Sequence, residues 1–292
     1  MQLNLEDHRV VSPIPTIHLV REYITPEEES YLVRKIDQVG NANAVVQPDL
    51  SLSVRAGGWQ RVNGRRSMYW GGTLTPKGKL LPQTPPSFMT EEWPHVFRRL
   101  QQLDIFSSSS SSSSSSVVAQ PPNHCLVNEY HPGDGILPHL DGPAYLPTVA
   151  TISLESDTVY EFYCQADRYG WFLGRLAGAD TGDDEGATLG EDMEVKEEAA
   201  GPIAPEPLFS LFVPRRSLLV LRHQAYSLLL HSIPARPIDL LHSHLLPCLN
   251  SHSFFSPPYL PSHLVSLPRA RRISLTCRRV QRVVHGLHQF LK

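Results

Sequence analysis

Apolar residues along much of the chain alternate with polar ones in short segments, and turns rich in proline and glycine separate these segments. Such alternation is typical of half-buried β-strands, because successive side chains of a strand point to opposite faces. The segments that carry the pattern are NHCLVNEY, TVATISLE, TVYEFYC, LFSLFV, SLLVLR, AYSLLLHSI and RRISLTCRRV. Their number and close spacing predict a mainly β domain, built as a barrel or a double sheet.

One helical pattern stands out near the N-terminus, in TPEEESYLVRKIDQV. Thr25 suits the cap, Pro26 suits the first helical position, and Glu28 stands three residues after Thr25 as in a capping box. The apolar positions then recur on one side of the helix, at Leu32, Val33, Ile36 and Val39. We therefore expect one or two helices, with this one supporting the sheets.

Three stretches interrupt the strand pattern. Residues 107–116 are ten consecutive serines, residues 180–201 are strongly acidic, and residues 235–268 are rich in proline, serine and histidine. The first two contain too little apolar surface to pack, which predicts disordered loops. The sequence thus predicts a single domain over residues 1–292 that carries three loop insertions.

Composition narrows the class of protein. A net charge of −3 with 41% hydrophobic and 19% charged residues is typical of a globular domain without global affinity for nucleic acid or membranes. The four cysteines show no CxxC spacing, which argues against a disulfide framework. The N-terminus does not resemble a signal peptide, and no apolar run reaches the roughly 18 residues of a membrane span. We expect a cytoplasmic or nuclear protein that is a monomer and does not bind membranes.

The stretch GILPHLDGPAY contains the first candidate residues for a metal-binding or catalytic site. His139 and Asp141 are two residues apart, so on a strand both side chains point to one face. His231, at the end of an apolar run, is the preferred third ligand, and His223 in a predicted turn is the competitor. Two imidazoles and one carboxylate are the ligands of non-haem Fe(II) oxygenases. With 14 histidines in the chain, accidental triplets also occur, so this pattern alone leaves a metal site and ordinary histidines both open.

The last predicted strand, RRISLTCRRV, has a polar and an apolar face. Arg272, Ser274, Thr276 and Arg278 share one face, and Ile273, Leu275 and Cys277 share the other. An exposed strand would show the same alternation. If the polar face instead lines the interior of a barrel, its arginines require anionic partners. A small dicarboxylate would supply them, because a guanidinium group binds a carboxylate through two parallel hydrogen bonds.

Taken together, these blocks resemble the AlkB family of 2-oxoglutarate- and Fe(II)-dependent dioxygenases. The family pattern N-x-Y, H-x-D, distal His and R-x-N-x3-R is matched in order by residues 128–130, 139–141, 231 and 272–278. The stretches REYITPEEESYLVRKI, GRRSMYWGG and RSLLVLRHQAYSLLLHSI are most similar to the AlkB homologue six subgroup. The resemblance covers most of the chain outside the insertions. Ser274 departs from the pattern, since it stands where the family has asparagine.

The resemblance implies a double-stranded β-helix, or jelly roll, and an oxidoreductase that uses molecular oxygen. It implies that His139, Asp141 and His231 bind Fe(II) and form the catalytic centre. It further implies that the cosubstrate 2-oxoglutarate is bound by Asn128, Tyr130, Arg272, Ser274 and Arg278. The implied reaction is hydroxylation of a C–H bond, as in oxidative demethylation of an N-alkylated base, which makes alkylated RNA or DNA the expected partner.

The segment GWQRVNGRRSMYWGG is the candidate for substrate contacts, through Arg65, Tyr69 and Trp70. Arginines among aromatic side chains suit stacking on bases and contact with phosphates. An ordinary hairpin with exposed arginines and core aromatics would show the same composition.

Two further hypotheses stay open at the level of sequence. The chain from Arg269 to Lys292 has seven basic residues and no acidic one, and with Arg55 and Arg61 it suits a nucleic-acid- or protein-binding scaffold without catalysis. A dioxygenase acting on a protein substrate is the other alternative. Separately, His242, His244, Cys248 and His252 could bind a second metal such as zinc, although their spacing matches no standard finger.

Overall fold

The computed structural model describes residues 3–42, 58–107, 119–177, 201–241, 246–254 and 265–284. The serine run from residue 108 onward, the acidic stretch up to residue 200, and residues 242–245 and 255–264 of the third predicted insertion lie outside these described residues. The division into one domain with three insertions therefore stays a prediction.

The described chain is mainly β, as the alternating segments predict. The strands are β1 (Ile17–Val20), β2 (Gln60–Val62), β3 (Arg65–Trp70), β4 (Gly72–Leu74), β5 (Leu80–Pro82), β6 (His124–Tyr130), β7 (Ile136–His139), β8 (Tyr145–Leu154), β9 (Thr158–Tyr163), β10 (Phe209–Val213), β11 (Leu218–Arg222), β12 (Leu230–Ile233), β13 (Ile238–Leu241), β14 (Val265–Pro268) and β15 (Arg272–Val280). The α-helices are α1 (Pro26–Ala42), α2 (Ser87–Thr90), α3 (Val96–Gln102), α4 (Tyr169–Leu176) and α5 (His223–Leu228). None of the helices in these segments combines the length and apolar composition that a membrane span requires.

Two antiparallel sheets form the jelly roll. The larger has the order β1-β11-β8-β15-β6-β3-β2, and the smaller has the order β10-β9-β12-β7. The core strands alternate between the sheets along the chain, except that β9 and β10 are consecutive in one sheet: β6, β8, β11 and β15 belong to the larger sheet, and β7, β9, β10 and β12 to the smaller. This winding is that of a double-stranded β-helix, which confirms the predicted fold.

Strand β15 lies at the centre of the larger sheet, between β6 and β8. Its residues Ile273, Leu275 and Cys277 are fully buried in a core that α1 and α3 also line. The opposite face of the larger sheet packs against apolar side chains of the smaller sheet. The arginines of β15 therefore point between the sheets, as the second of the two sequence interpretations requires.

Helix α1 covers the outer face of the larger sheet and begins with the predicted capping box. The backbone N–H of Glu28 donates to the Thr25 hydroxyl at 3.2 Å, and the backbone N–H of Thr25 donates to the Glu28 carboxylate at 3.0 Å. Leu32 and Ile36 are fully buried, while Val33 and Val39 pack at the edge of the same core. Both the cap and the apolar face that the sequence predicts for this helix are thus present in α1.

The structure corrects two sequence predictions. The run AYSLLLHSI is a strand only in its second half, because residues 223–228 form helix α5 and place His223 at a helix start instead of a turn. The chain also contains more helices than the expected one or two. Short apolar runs bury equally well as a helix or as a strand, so periodicity did not separate the two.

Candidate metal centre and adjoining cavity

His139, Asp141 and His231 lie together at one end of the jelly roll. One ligand atom from each residue lies within 4.8 Å of those of the other two, and no other group of this kind occurs in the described residues. All three side chains are partly shielded from solvent. The sequence-predicted triplet is therefore brought together by the fold.

Strand pairing sets the positions of the two histidines. His139 at the end of β7 is the direct neighbour of His231 on β12, and the ring centroids are 4.5 Å apart. Asp141 follows in the loop after β7. The Tyr226 hydroxyl on α5 donates to the Gly142 carbonyl at 2.7 Å, which holds this loop against the core.

The ring environment leaves both imidazoles suited to metal coordination. The Nδ1 atom of His139 lies 2.8 Å from the Leu137 carbonyl, so Nδ1–H donates there and Nε2 keeps its lone pair. Burial lowers the pKa of His139 below its ordinary value and lowers the pKa of His231 to about 4. Both rings are consequently neutral at pH 7, the form that binds metal ions.

Asp141 is held as a carboxylate. Burial acts to raise the pKa of Asp141, but Arg278 and the two neighbouring imidazoles outweigh it and hold the pKa below the ordinary value. Arg278 donates from Nη2 to Oδ1 of Asp141. The second oxygen, Oδ2, is buried and has no hydrogen-bond partner within the described segments. A buried carboxylate oxygen without a partner is suited to a cation.

Arg272 lies buried between the sheets, and no carboxylate among the described residues pairs with it. Its side chain is 3% exposed, and Nη2 donates to the Ser153 hydroxyl at 2.8 Å and to the Tyr160 hydroxyl at 3.2 Å. Its Nε and Nη1 atoms are buried and lack partners among the residues described here. The guanidinium carbon also lies 5.6 Å from the ring centroids of Tyr130 and Tyr160. A buried guanidinium group with two unpaired N–H donors is suited to bind a carboxylate ligand.

The remaining residues of the predicted cosubstrate site lie on β6 and β15. Ser274 is buried and lies opposite Asn128 in the register of the two strands. The Asn128 side-chain oxygen accepts from Nε of Arg65 at 3.1 Å. Burial raises the pKa of Tyr130 well above its ordinary value, so its hydroxyl stays a hydrogen-bond donor.

A cavity of about 450 Å³ opens beside the candidate ligands. His139, Asp141 and Arg278 line its base, while Arg65 and Tyr69 stand on its wall. Trp70, in contrast, is 3% exposed and packs edge-on against Phe88 in the outer core. Of the three predicted substrate residues, the structure therefore brings two to the cavity, because successive residues of β3 point to opposite faces.

Two cavity residues, His124 and Tyr145, were not predicted from the sequence. The His124 ring lies between Tyr69 and Tyr145, with centroid distances of 5.6 Å and 5.7 Å. His124 shares its strand face with Asn128 and Tyr130, so strand periodicity contained the signal for it. No comparable pattern in the sequence identifies Tyr145 as a cavity residue. We call Tyr69, His124 and Tyr145 the aromatic wall.

The alternative metal ligands do not form a described cluster. His242 and His244 lie outside the described residues, whereas His252 is exposed and Cys248 is buried with its Sγ atom 3.5 Å from the side-chain oxygen of Asn250. A metal site over residues 242–252 stays untested. His223 is an exposed residue at the start of α5 and is absent from the cluster around Asp141.

Comparison with known proteins places this geometry in context. No protein-family model matches the chain. The chain is 28% identical over 287 residues to "Probable RNA/DNA demethylase ALKBH6" of Danio rerio, covering 97% of this chain and 94% of that protein. It is 22% identical over 230 residues to "Uncharacterized protein L905" of Acanthamoeba polyphaga mimivirus, covering 78% of each. Among solved structures, OsALKBH1 matches with a TM-score of 0.44 at 14% identity, covering 91% of this chain and 99% of that one.

Proposed function

We propose that this chain is an AlkB-like, 2-oxoglutarate- and Fe(II)-dependent dioxygenase that removes N-alkyl groups from bases of RNA or DNA. The observation that carries this proposal is the metal-ligand triplet, two of whose members line a cavity, together with a buried arginine that has unpaired donors. The name of the zebrafish relative, a probable RNA/DNA demethylase, supports the substrate class.

In this proposal His139, Asp141 and His231 bind Fe(II) through one atom each. Two neutral imidazoles and one carboxylate leave coordination positions open for cosubstrate and oxygen. When bound, Fe(II) supplies oxygen activation, with 2-oxoglutarate as the reductant, and the hydroxylated N-alkyl group leaves as an aldehyde. Arg278 keeps Asp141 ionised and oriented, so that Oδ2 is available for the metal.

Arg272 is the proposed partner of the distal carboxylate of 2-oxoglutarate. One of its unpaired donors, at Nε or Nη1, would donate to the carboxylate, and Tyr130 would add a hydroxyl donor. Ser274 and Asn128 lie beside it on β15 and β6. Ser274 would contact the cosubstrate through a single hydroxyl donor, where the family asparagine has an amide.

The iron site is tested by metal binding as well as by turnover. We expect the purified protein to bind one Fe(II) per chain anaerobically and to form succinate from 2-oxoglutarate in air. His139→Ala, Asp141→Ala and His231→Ala should each lose iron binding and succinate formation while remaining folded. His252→Ala removes an exposed histidine and serves as the matched control. Full iron binding by Asp141→Ala would overturn the assignment.

The substrate class is tested separately, by formaldehyde release from N-methylated single-stranded RNA and DNA oligonucleotides. Release that requires both 2-oxoglutarate and an intact triplet supports the proposal. Succinate formation without release from any methylated nucleic acid would keep the dioxygenase and refute the base demethylase. Release from methylated peptides alone would identify a dioxygenase for proteins.

A further inference from the structure

The cavity does not end at the aromatic wall. Leu74 and Tyr145 line both the cavity and a neighbouring groove, so the two spaces are contiguous. The groove runs between the β4–β5 hairpin, the loop after Asp141 and the chain that follows β15. It continues past Lys79 and Arg282 toward Val284. The groove therefore adjoins the cavity at Leu74 and Tyr145.

The groove is cationic. Lys77, Lys79 and Arg282 are exposed, and the residues that line this path include no acidic side chain. None of the three has an ion-pair partner among the described residues. Several other arginines of the described chain are paired with carboxylates, as Arg271 is with Glu129. Three unpaired cations on one path suit a polyanion better than a single small ligand.

Backbone contacts hold these cations in place. The β4–β5 hairpin turns at Thr75–Gly78, where the Lys79 N–H donates to the Thr75 hydroxyl at 3.0 Å. The Leu80 N–H donates to the Arg282 carbonyl at 2.8 Å, which joins the hairpin to the chain after β15. The turn carrying Lys77 and the segment carrying Arg282 thus belong to one framework, and the groove is preformed.

We propose that this groove binds the backbone phosphates of a single-stranded nucleic acid whose target base occupies the cavity. The inference rests on the proposed function, since it names the path that the substrate strand follows. Lys77 and Arg282 contact phosphates next to the target nucleotide, and Lys79 contacts the strand farther along. The base enters beside the aromatic wall.

The aromatic wall distinguishes nucleic acid from an acidic peptide. Single-strand binding sites combine a positive groove along the backbone with aromatic rings on which bases stack. Tyr69 is 44% exposed and parallel to His124 within 26°, so one ring of the wall presents a face to the solvent at the cavity. An acidic peptide would pair with the cations of the groove but would leave the exposed face of the Tyr69 ring without a stacking partner.

The test compares two double variants of equal charge change. Lys77→Ala/Arg282→Ala removes two groove cations, whereas Arg34→Ala/Lys35→Ala removes two cations that contact Tyr31 on the outer helix α1. The probe is a fluorescent unmodified single-stranded oligonucleotide, and its Kd is measured by anisotropy at several salt concentrations. Loss of two phosphate contacts should reduce the salt slope of log K by about 1.4 and weaken binding about tenfold to thirtyfold at 0.1 M salt. The control variant should match the wild type.

Each alternative outcome is decisive. Equal affinity and equal salt slope for the groove variant and the wild type would overturn the groove while leaving the demethylase intact, provided that the wild type releases formaldehyde. A wild type that binds a poly-glutamate peptide as tightly as the oligonucleotide would overturn the nucleic-acid assignment of the groove. Succinate formation from 2-oxoglutarate alone should be unchanged in the groove variant, because its substitutions lie outside the iron and cosubstrate sites.

Discussion

Replacing Arg272 by methionine should leave the ligand-free protein no less stable and should weaken its stabilisation by 2-oxoglutarate. Arg272 is 3% exposed, makes hydrogen bonds only to two hydroxyl groups, and has two buried nitrogens without partners in the described chain. Replacing a buried charged group by an apolar side chain of similar size is often neutral or stabilising. The same substitution removes the proposed carboxylate partner.

The size of the effect follows from the contact that is lost. A hydrogen bond to a charged group contributes about 1.5–3 kcal/mol, so the Kd for 2-oxoglutarate should rise about 10- to 150-fold. At a concentration 100 times the wild-type Kd, 2-oxoglutarate stabilises the wild type by about 2.7 kcal/mol and the variant by only about 0.3–1.4 kcal/mol. The free energy of unfolding without ligand should change little or rise.

Urea unfolding with and without 2-oxoglutarate measures both quantities, with Mn(II) in the site to prevent turnover. Arg269→Met is the matched control, because the side chain of Arg269 is also only 6% exposed but is paired with Asp239 at 2.7 Å. Replacing Arg269 should lower the free energy of unfolding by about 3 kcal/mol, because it leaves a buried carboxylate with fewer partners. The effect should not be larger, because Arg236 still contacts Asp239. If Arg272→Met destabilised as strongly as the control and kept the full response to 2-oxoglutarate, the reasoning would be wrong.

Two substitutions test how local geometry supports the fold. Thr25→Ala should lower the free energy of unfolding by about 1 kcal/mol through loss of the capping box, while Thr25→Ser keeps the hydroxyl and most of the stability; urea titration checks both. Gly72→Ala should destabilise more than Gly133→Ala: both glycines have positive φ, but a Cβ on Gly72 would lie 2.1 Å from the Leu81 carbonyl oxygen, whereas one on Gly133 meets nothing within 4 Å. Equal Tm values for the two variants would contradict this.

Strand periodicity predicted the jelly roll and most of the candidate site because both depend on the direction of side chains. In β15 alternation correctly separated the apolar face of Leu275 from the polar face of Arg272. The spacing of His139 and Asp141 likewise predicted that they meet, and the end of β7 together with the loop after it brings them to one point. Both inferences depend only on how side chains alternate over a few consecutive residues, which can be read directly from the sequence.

Features that depend on tertiary context escaped prediction. The second half of helix α5 was predicted as part of a strand because AYSLLLHSI is a short apolar run, and such a run does not distinguish a helix from a strand. Trp70 was assigned to the substrate, but β3 turns it into the core while Tyr69 faces the cavity. The cation groove joins residues 77–79 to residue 282, and only strand pairing across the fold reveals that they are neighbours.

His124 provides a further test, through the pH dependence of stability. Burial lowers the pKa of His124 to about 4, and the positive charge of Arg278 acts in the same direction. The ordinary value in the unfolded chain is about 6.5. Between these two values the unfolded chain binds a proton that the folded chain does not, so the free energy of unfolding falls as the pH decreases from about 6.5 toward 4.

Replacing His124 by glutamine removes this titration. Between pH 6.5 and 4.5 the ligand-free His124→Gln variant should lose about 2 kcal/mol less stability than the wild type. His252→Gln, an exposed residue on the turn Ser251–Ser253, should keep the wild-type slope. Urea unfolding at four or five pH values between these limits provides the comparison. If the free energy of unfolding depended on pH equally in His124→Gln and in the wild type, His124 would be solvated. The aromatic wall would then be open to water on both sides.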